Sequence, residues 1–172
     1  VNLLKGKFID VRTSMGEPEL RRNNIPMTGD DSESVVNEEL DVDGEIYNIT
    51  LVNVGNPHCV IYVDDVDSID LPVIGPKVEN HPLFPNRINT EFVQVLDKNN
   101  IRMRVWERGV GETLACGTGA TASAVASILN GHTFDTVMVH LAGGDLTIEW
   151  EDHKELYMTG YADTSFTGEY KI

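Results

Sequence analysis

Cysteine is scarce in this chain: its 172 residues hold two, Cys59 and Cys116. A small secreted module stapled by disulfides needs more, so the composition points to a reducing, cytoplasmic setting. Basic residues are also few, 13 Lys and Arg against 28 Asp and Glu, for a formal net charge of −15. With a pI near 4.5 the chain lacks the basic surface that nucleic acid or an anionic membrane demands, and neither is expected as a partner. No apolar run approaches the ~18 residues of a membrane span, and no signal-peptide pattern opens the chain. The candidate metal ligands His58, Cys59, His81, His132, His140 and His153 are scattered, without the paired spacing that zinc sites use, so no metal is expected. What remains is a globular composition, 41% hydrophobic, in a length that suits one domain or at most two small ones. The chain opens at Val1 already in β-like sequence, which suggests a trimmed or partial chain.

Short β-type runs separated by turn residues set its texture. Residues 7–13, 44–54, 58–63, 91–96, 101–107, 136–141, 146–150 and 155–159 read as strands, with hairpin connections at 97–100 and 143–145. Eight or more strands at this spacing suggest a barrel-like or strongly curved sheet. The clearest helix is Thr118 to Asn130, with Thr118 as N-cap and Gly131 in a left-handed C′ position. It carries no charge at all, whereas a surface helix shows a polar face, so it is expected to be enclosed. A weaker helical turn is expected over Val73 to Asn80. Residues 30–45 hold eight acidic side chains and read as a solvated loop running into a hairpin. Glu39, Asp41, Asp43 and Gly44 mimic the start of a calcium loop, but Thr50 stands where such loops need a bidentate Glu, so calcium is rejected.

The informative stretch is VWERGVGETLACGTGA, Val105 to Ala120. Cys116 stands at the head of the enclosed helix, where unpaired N–H groups and the macrodipole favour negative charge. Such a position pushes a thiol towards thiolate, and the flanking glycines let backbone amides approach a carboxylate. Small-residue packing explains Cys116 equally well, and the residues alone leave both readings open.

Five stretches together resemble the diaminopimelate epimerase family: MGEP (15–18), GNPHCV (55–60), FPNRINTEF (84–92), WERGVGETLACGTGA (106–120) and MTG (158–160). They occur in the family's order and span nearly the whole chain. The resemblance implies an α+β fold, a curved, barrel-like, mostly antiparallel sheet wrapped around a buried central helix, one of two pseudo-equivalent halves. It implies interconversion of LL- and meso-diaminopimelate, on the route to lysine and peptidoglycan, without a cofactor. Two cysteines on opposite faces of the α-carbon exchange its proton, one as thiolate and one as thiol. Cys116 matches the second of them. The first lies in a Cys-Gly-Asn-Gly motif that this sequence does not contain; Cys59 does not match it and reads as core packing. The resemblance makes 17–161 the C-terminal domain, with 1–16 and 162–172 as strands belonging to an absent N-terminal domain and expected to pair side by side. That domain is expected to be needed to complete the site, leaving the isolated chain inactive; a homodimer is possible.

Site residues follow one by one from the same matches. Glu107 and His58 match groups that tune the thiols. Asn56, Asn89 and Glu107 match the pocket for the distal amino-acid end of the substrate, and Arg108 the cation facing its carboxylate. Gly117 and Thr118 match backbone donors to the reacting α-carboxylate. Read without the resemblance, Asn56 is a turn residue before Pro57, Asn89 a polar loop residue, Arg108 a surface arginine and His58 a hydrogen-bonded core histidine. Two other functions compete. Proline and hydroxyproline racemases share the Cys-Gly-Thr-Gly but precede it differently from Gly111–Ala115. A non-enzymatic thiol-bearing domain would account for Cys116 alone.

Overall fold

The computed structural model describes residues 2–4, 7–29 and 34–170. Eleven strands are formed: β1 (Asn2–Leu4), β2 (Lys7–Gly16), β3 (Glu38–Val42), β4 (Glu45–Asn53), β5 (Pro57–Tyr62), β6 (Asn89–Val95), β7 (Asn100–Glu107), β8 (Gly111–Thr113), β9 (Thr136–Leu141), β10 (Gly144–Glu151) and β11 (Glu155–Tyr161). Two α-helices interrupt them, α1 (Leu71–Glu79) and α2 (Gly117–Leu129). The strands make one sheet in the order β1-β2-β11-β10-β9-β7-β6-β5-β4-β3, with β8 added to one end of β7. Pairing is antiparallel except for β5 with β6 and β7 with β9. The mostly antiparallel sheet and enclosed helix are as expected, but the sheet is not closed, since β1 and β3 remain its edges among the described residues.

The β4–β6 segment is covered on both faces, which is why His58 to Val63 reads as a continuous apolar run. On one face Val52, Val60 and Val93 pack with Ala120, Ala124 and Val125 of α2, together with Val137, Ile148 and Leu156. On the other, Ile49, Leu51, Cys59, Ile61 and Phe92 pack with Leu71 and Val78 of α1 and with Ile25, Val35 and Leu40. Alternation along β5 therefore turns His58 and Cys59 to opposite faces. Cys59 is a wholly buried core residue, as expected.

α2 is almost entirely enclosed, and its composition explains how. Alanines let the strands come close, while the buried hydroxyls bond back along the helix: Thr121 Oγ1 donates to Gly117 O at 2.9 Å and Ser127 Oγ to Ser123 O at 2.7 Å. Gly131 takes the left-handed conformation expected of it, φ +68°. The N-cap is Cys116, not Thr118. The helix begins two residues earlier than expected for a Thr118 cap because the cysteine sulfur itself accepts from a first-turn N–H.

Two further expectations change. Part of the acidic run is strand, not loop: Leu40 and Val42 of β3 point into the core while Glu39 and Asp41 point out, and Asp43 and Gly44, both at positive φ, turn the chain into β4. Residues 30–33 of that run lie outside the described residues, as do Val1, Lys171 and Ile172. Among the described residues the chain ends do not share a ladder: β2 pairs with β1 over its first residues and with β11 from Asp10 to Gly16, while residues 162–170 form no strand.

α1 packs against β7 through a glycine: a Cβ at Gly75 would lie 2.5 Å from the Trp106 ring. Gly75→Ala is therefore expected to destabilise the chain by about 1–3 kcal/mol through overpacking, read as a lower urea midpoint at unchanged slope.

Candidate active site

Cys116 caps α2 with its side chain. Its Sγ accepts from Gly119 N–H at 3.3 Å and lies 3.4 Å from Thr118 Oγ1. Position 119 must be glycine, since a Cβ there would stand 2.8 Å from Glu91 Oε1 and 3.3 Å from the sulfur. The sulfur thus sits where the helix start, β6 and the end of β7 converge.

From β5 and β6 comes a buried pair. His58 and Glu91 are paired across the parallel strands and both are fully buried, with Nδ1 and Oε1 2.6 Å apart. The other ring nitrogen, Nε2, faces Asn56 Oδ1 at 3.0 Å. Asn56 follows Gly55, whose φ of +101° makes the turn into β5. Burial pushes the Glu91 carboxyl upward against the pull of His58, and nearby Glu107 adds to the rise.

Glu107, at the end of β7, accepts from Thr113 Oγ1 of β8 at 2.5 Å, so the short β7–β8 hairpin aims its carboxylate. The hairpin is held from two sides. Glu79 of α1 accepts from Trp106 Nε1 at 2.7 Å, Gly109 N–H at 2.8 Å and Arg87 NH1 at 3.1 Å. Asn89 ties the two turns of the site together, donating from Nδ2 to Pro57 O at 2.7 Å and accepting from Arg108 N–H at 3.0 Å. Asn89 therefore spends one N–H and one lone pair on the scaffold. Arg108 is half-buried, and its guanidinium donates to Asn86 O at 3.2 Å.

The structure brings together His58, Asn56, Cys116, Gly117, Thr118 and Glu107 at one end of α2, with Asn89 at the start of β6 and Arg108 in the turn after β7. Glu91, Glu79 and Thr113 were not read from the sequence as site residues. Glu91 had a signal: a lone carboxylate in a strand that pairs in parallel with an apolar run. Glu79 and Thr113 had none, because only the folded hairpin brings them to Gly109 and Glu107.

The thiol itself departs from expectation. Burial pushes Cys116 above the ordinary thiol value, Thr118 and Gly119 pull it back, and the carboxylates of Glu91 and Glu107 push it up again. The head of a helix favours a thiolate, but here desolvation outweighs that pull.

An open, mostly antiparallel sheet packed around an uncharged helix is a fold also found in solved racemase and epimerase structures. The fold is shared with a hydroxyproline epimerase from Agrobacterium vitis, 12% identical with a TM-score of 0.61, covering 92% of this chain and 51% of that one. It is shared too with a predicted epimerase from Pseudomonas aeruginosa, 15% identical with a TM-score of 0.56, covering 96% and 62%. The family profile described as diaminopimelate epimerase matches residues 50–165. The diaminopimelate epimerase of Pelotomaculum thermopropionicum is 53% identical over 96% of this chain and 59% of its own length. That of Geobacillus thermodenitrificans is 50% identical over 99% and 59%. The chain belongs to the diaminopimelate epimerase family, and it spans about 59% of the length of these curated relatives. No described helix is long and apolar enough to cross a membrane.

Iodoacetamide alkylation of Cys116 is expected to stay slow at pH 7 and to rise with a midpoint above the ordinary thiol value of about 8.5. Glu107→Gln removes one of the charges that raise it and should speed alkylation at pH 8 about threefold. A midpoint below that value would restore the thiolate reading, and Cys116→Ala gives the background from buried Cys59.

Proposed function

We propose that this chain is the C-terminal half of a diaminopimelate epimerase and that Cys116 is one of its two proton-transfer thiols. The observation that carries this is the sulfur capping α2 beside Gly117 and Thr118, with Glu107 and the His58–Glu91 pair around it. The α-carboxylate of one amino-acid end binds the first-turn N–H groups of Gly117 and Thr118, which have no intrahelical partners. Held there, it places the α-carbon against the sulfur. Negative charge developing on removal of the α-proton spreads into that carboxylate, and the helix start stabilises it more in the transition state than before.

One thiolate takes the α-proton from one face while the opposite thiol delivers its own proton to the other, so the stereocentre inverts and the proton count is unchanged. Cys116, held as a thiol by burial, is the donor in one direction and, once deprotonated, the base in the reverse. The opposing thiol comes from residues outside these 172. Glu107 and His58 set the protonation of Cys116, while Arg108 receives the distal carboxylate in a planar fork. Asn56, Glu107 and the remaining N–H of Asn89 complete the pocket for the distal zwitterion. No step calls for a cofactor or metal, and a reducing cytoplasm suits the free thiols.

Wash-in of deuterium at the α-carbon of diaminopimelate tests the reading. The isolated chain is expected to give no epimerisation. Adding a separately produced N-terminal half from the Pelotomaculum thermopropionicum relative should restore it, and Cys116→Ala in the combined protein should abolish it. Robust epimerisation by residues 1–172 alone, or retained activity after Cys116→Ala, would refute the two-thiol assignment.

A further inference from the structure

We propose that Glu91 is a positioning residue: it holds His58 with a proton on Nε2, and thereby turns the amide NH2 of Asn56 away from the ring and towards the ligand. The relay runs Glu91 Oε1 to His58 Nδ1, 2.6 Å, then His58 Nε2 to Asn56 Oδ1, 3.0 Å. Glu91 and His58 are wholly buried, and a net charge on such a pair is costly. Neutrality requires two protons shared among the carboxylate and the two ring nitrogens.

One proton lies in the short Nδ1–Oε1 bond, whichever atom holds it. The second has two places to go. On Glu91 Oε2 it would have no acceptor, because that oxygen meets no hydrogen-bond partner among the described residues. On Nε2 it is accepted by Asn56. The second proton therefore sits on Nε2 both in the ionised and in the neutral form of the pair. An N–H at that nitrogen demands the carbonyl oxygen of Asn56, not its NH2. Asn56 is half-buried, so its two remaining donors are presented at the mouth of the site, where they suit an anionic group such as a carboxylate. The other ionisable groups near this relay are Glu107, Cys116 and Cys59, while the two ring nitrogens of His58 face Glu91 and Asn56.

The role of Asn56 towards the ligand rests on the proposed function, but the relay can be tested without any ligand, so the two can fail separately. In chain 1–172 labelled with 15N-histidine at pH 7, with His58 assigned by comparison with His58→Gln, Nε2 is expected to show a directly bonded, slowly exchanging proton. A lone-pair nitrogen at Nε2 overturns the proposal. Glu91→Met keeps the bulk and removes the acceptor, and should speed exchange of that proton about tenfold or more, the scale of one lost buried hydrogen bond. Glu91→Gln, whose NH2 can donate to Nδ1, should stay close to the wild-type rate. Equal rates in all three proteins would show that Glu91 does not position the ring.

Discussion

Burying the head of a helix is the constraint from which the rest of this structure follows. The first-turn N–H groups of α2 need partners or a ligand, and the chain meets one of them with a sulfur atom. A sulfur can stand there only if no side chain grows from position 119, and position 119 is crowded because a carboxylate from β6 already occupies the space beside it. The carboxylate in turn requires His58 opposite. One chain of steric and electrostatic demands thus runs from Gly119 to Glu91 to His58 to Asn56. It explains why three separate segments of sequence carry these residue types within a few ångströms of one another.

Much of this was legible in the sequence, for identifiable reasons. The strands β2, β4 to β7 and β9 to β11 announced themselves by alternation or by apolar runs, and α2 by the absence of charge over thirteen residues. Gly131 marked its end through a left-handed turn. What escaped was of two kinds. Glu79 and Thr113 brace the β7–β8 hairpin through contacts separated by between six and thirty residues, and nothing local encodes such partners. The cap escaped for a different reason. Thr is the better N-cap by side-chain propensity, but enclosure of the helix start by β6 and β11 makes the sulfur the group at hand.

Several influences act together on the Cys116 thiol. A helix start and a glycine turn favour thiolate, yet in a site closed by strands, desolvation works against any charged form and two carboxylates add to it. The same enclosure makes any charge beside the helix start respond strongly to its fixed dipoles.

The brace around Asn89 and Glu79 decides where specificity can reside. Asn89 joins the turn before β5 to the turn after β7, so Asn56 and Arg108, which project from those turns, cannot move independently. Glu79 fixes Gly109 next to Arg108 from the opposite face of the sheet. A cation and an amide donor held by one rigid bridge can measure the separation of two charged ends of a ligand, whereas the same groups on separate mobile loops would accept many lengths. β6 carries both Glu91, beside the head of α2, and Asn89, which forms this bridge. That strand is the ruler between them, which is why its first residues are buried although three of them are polar.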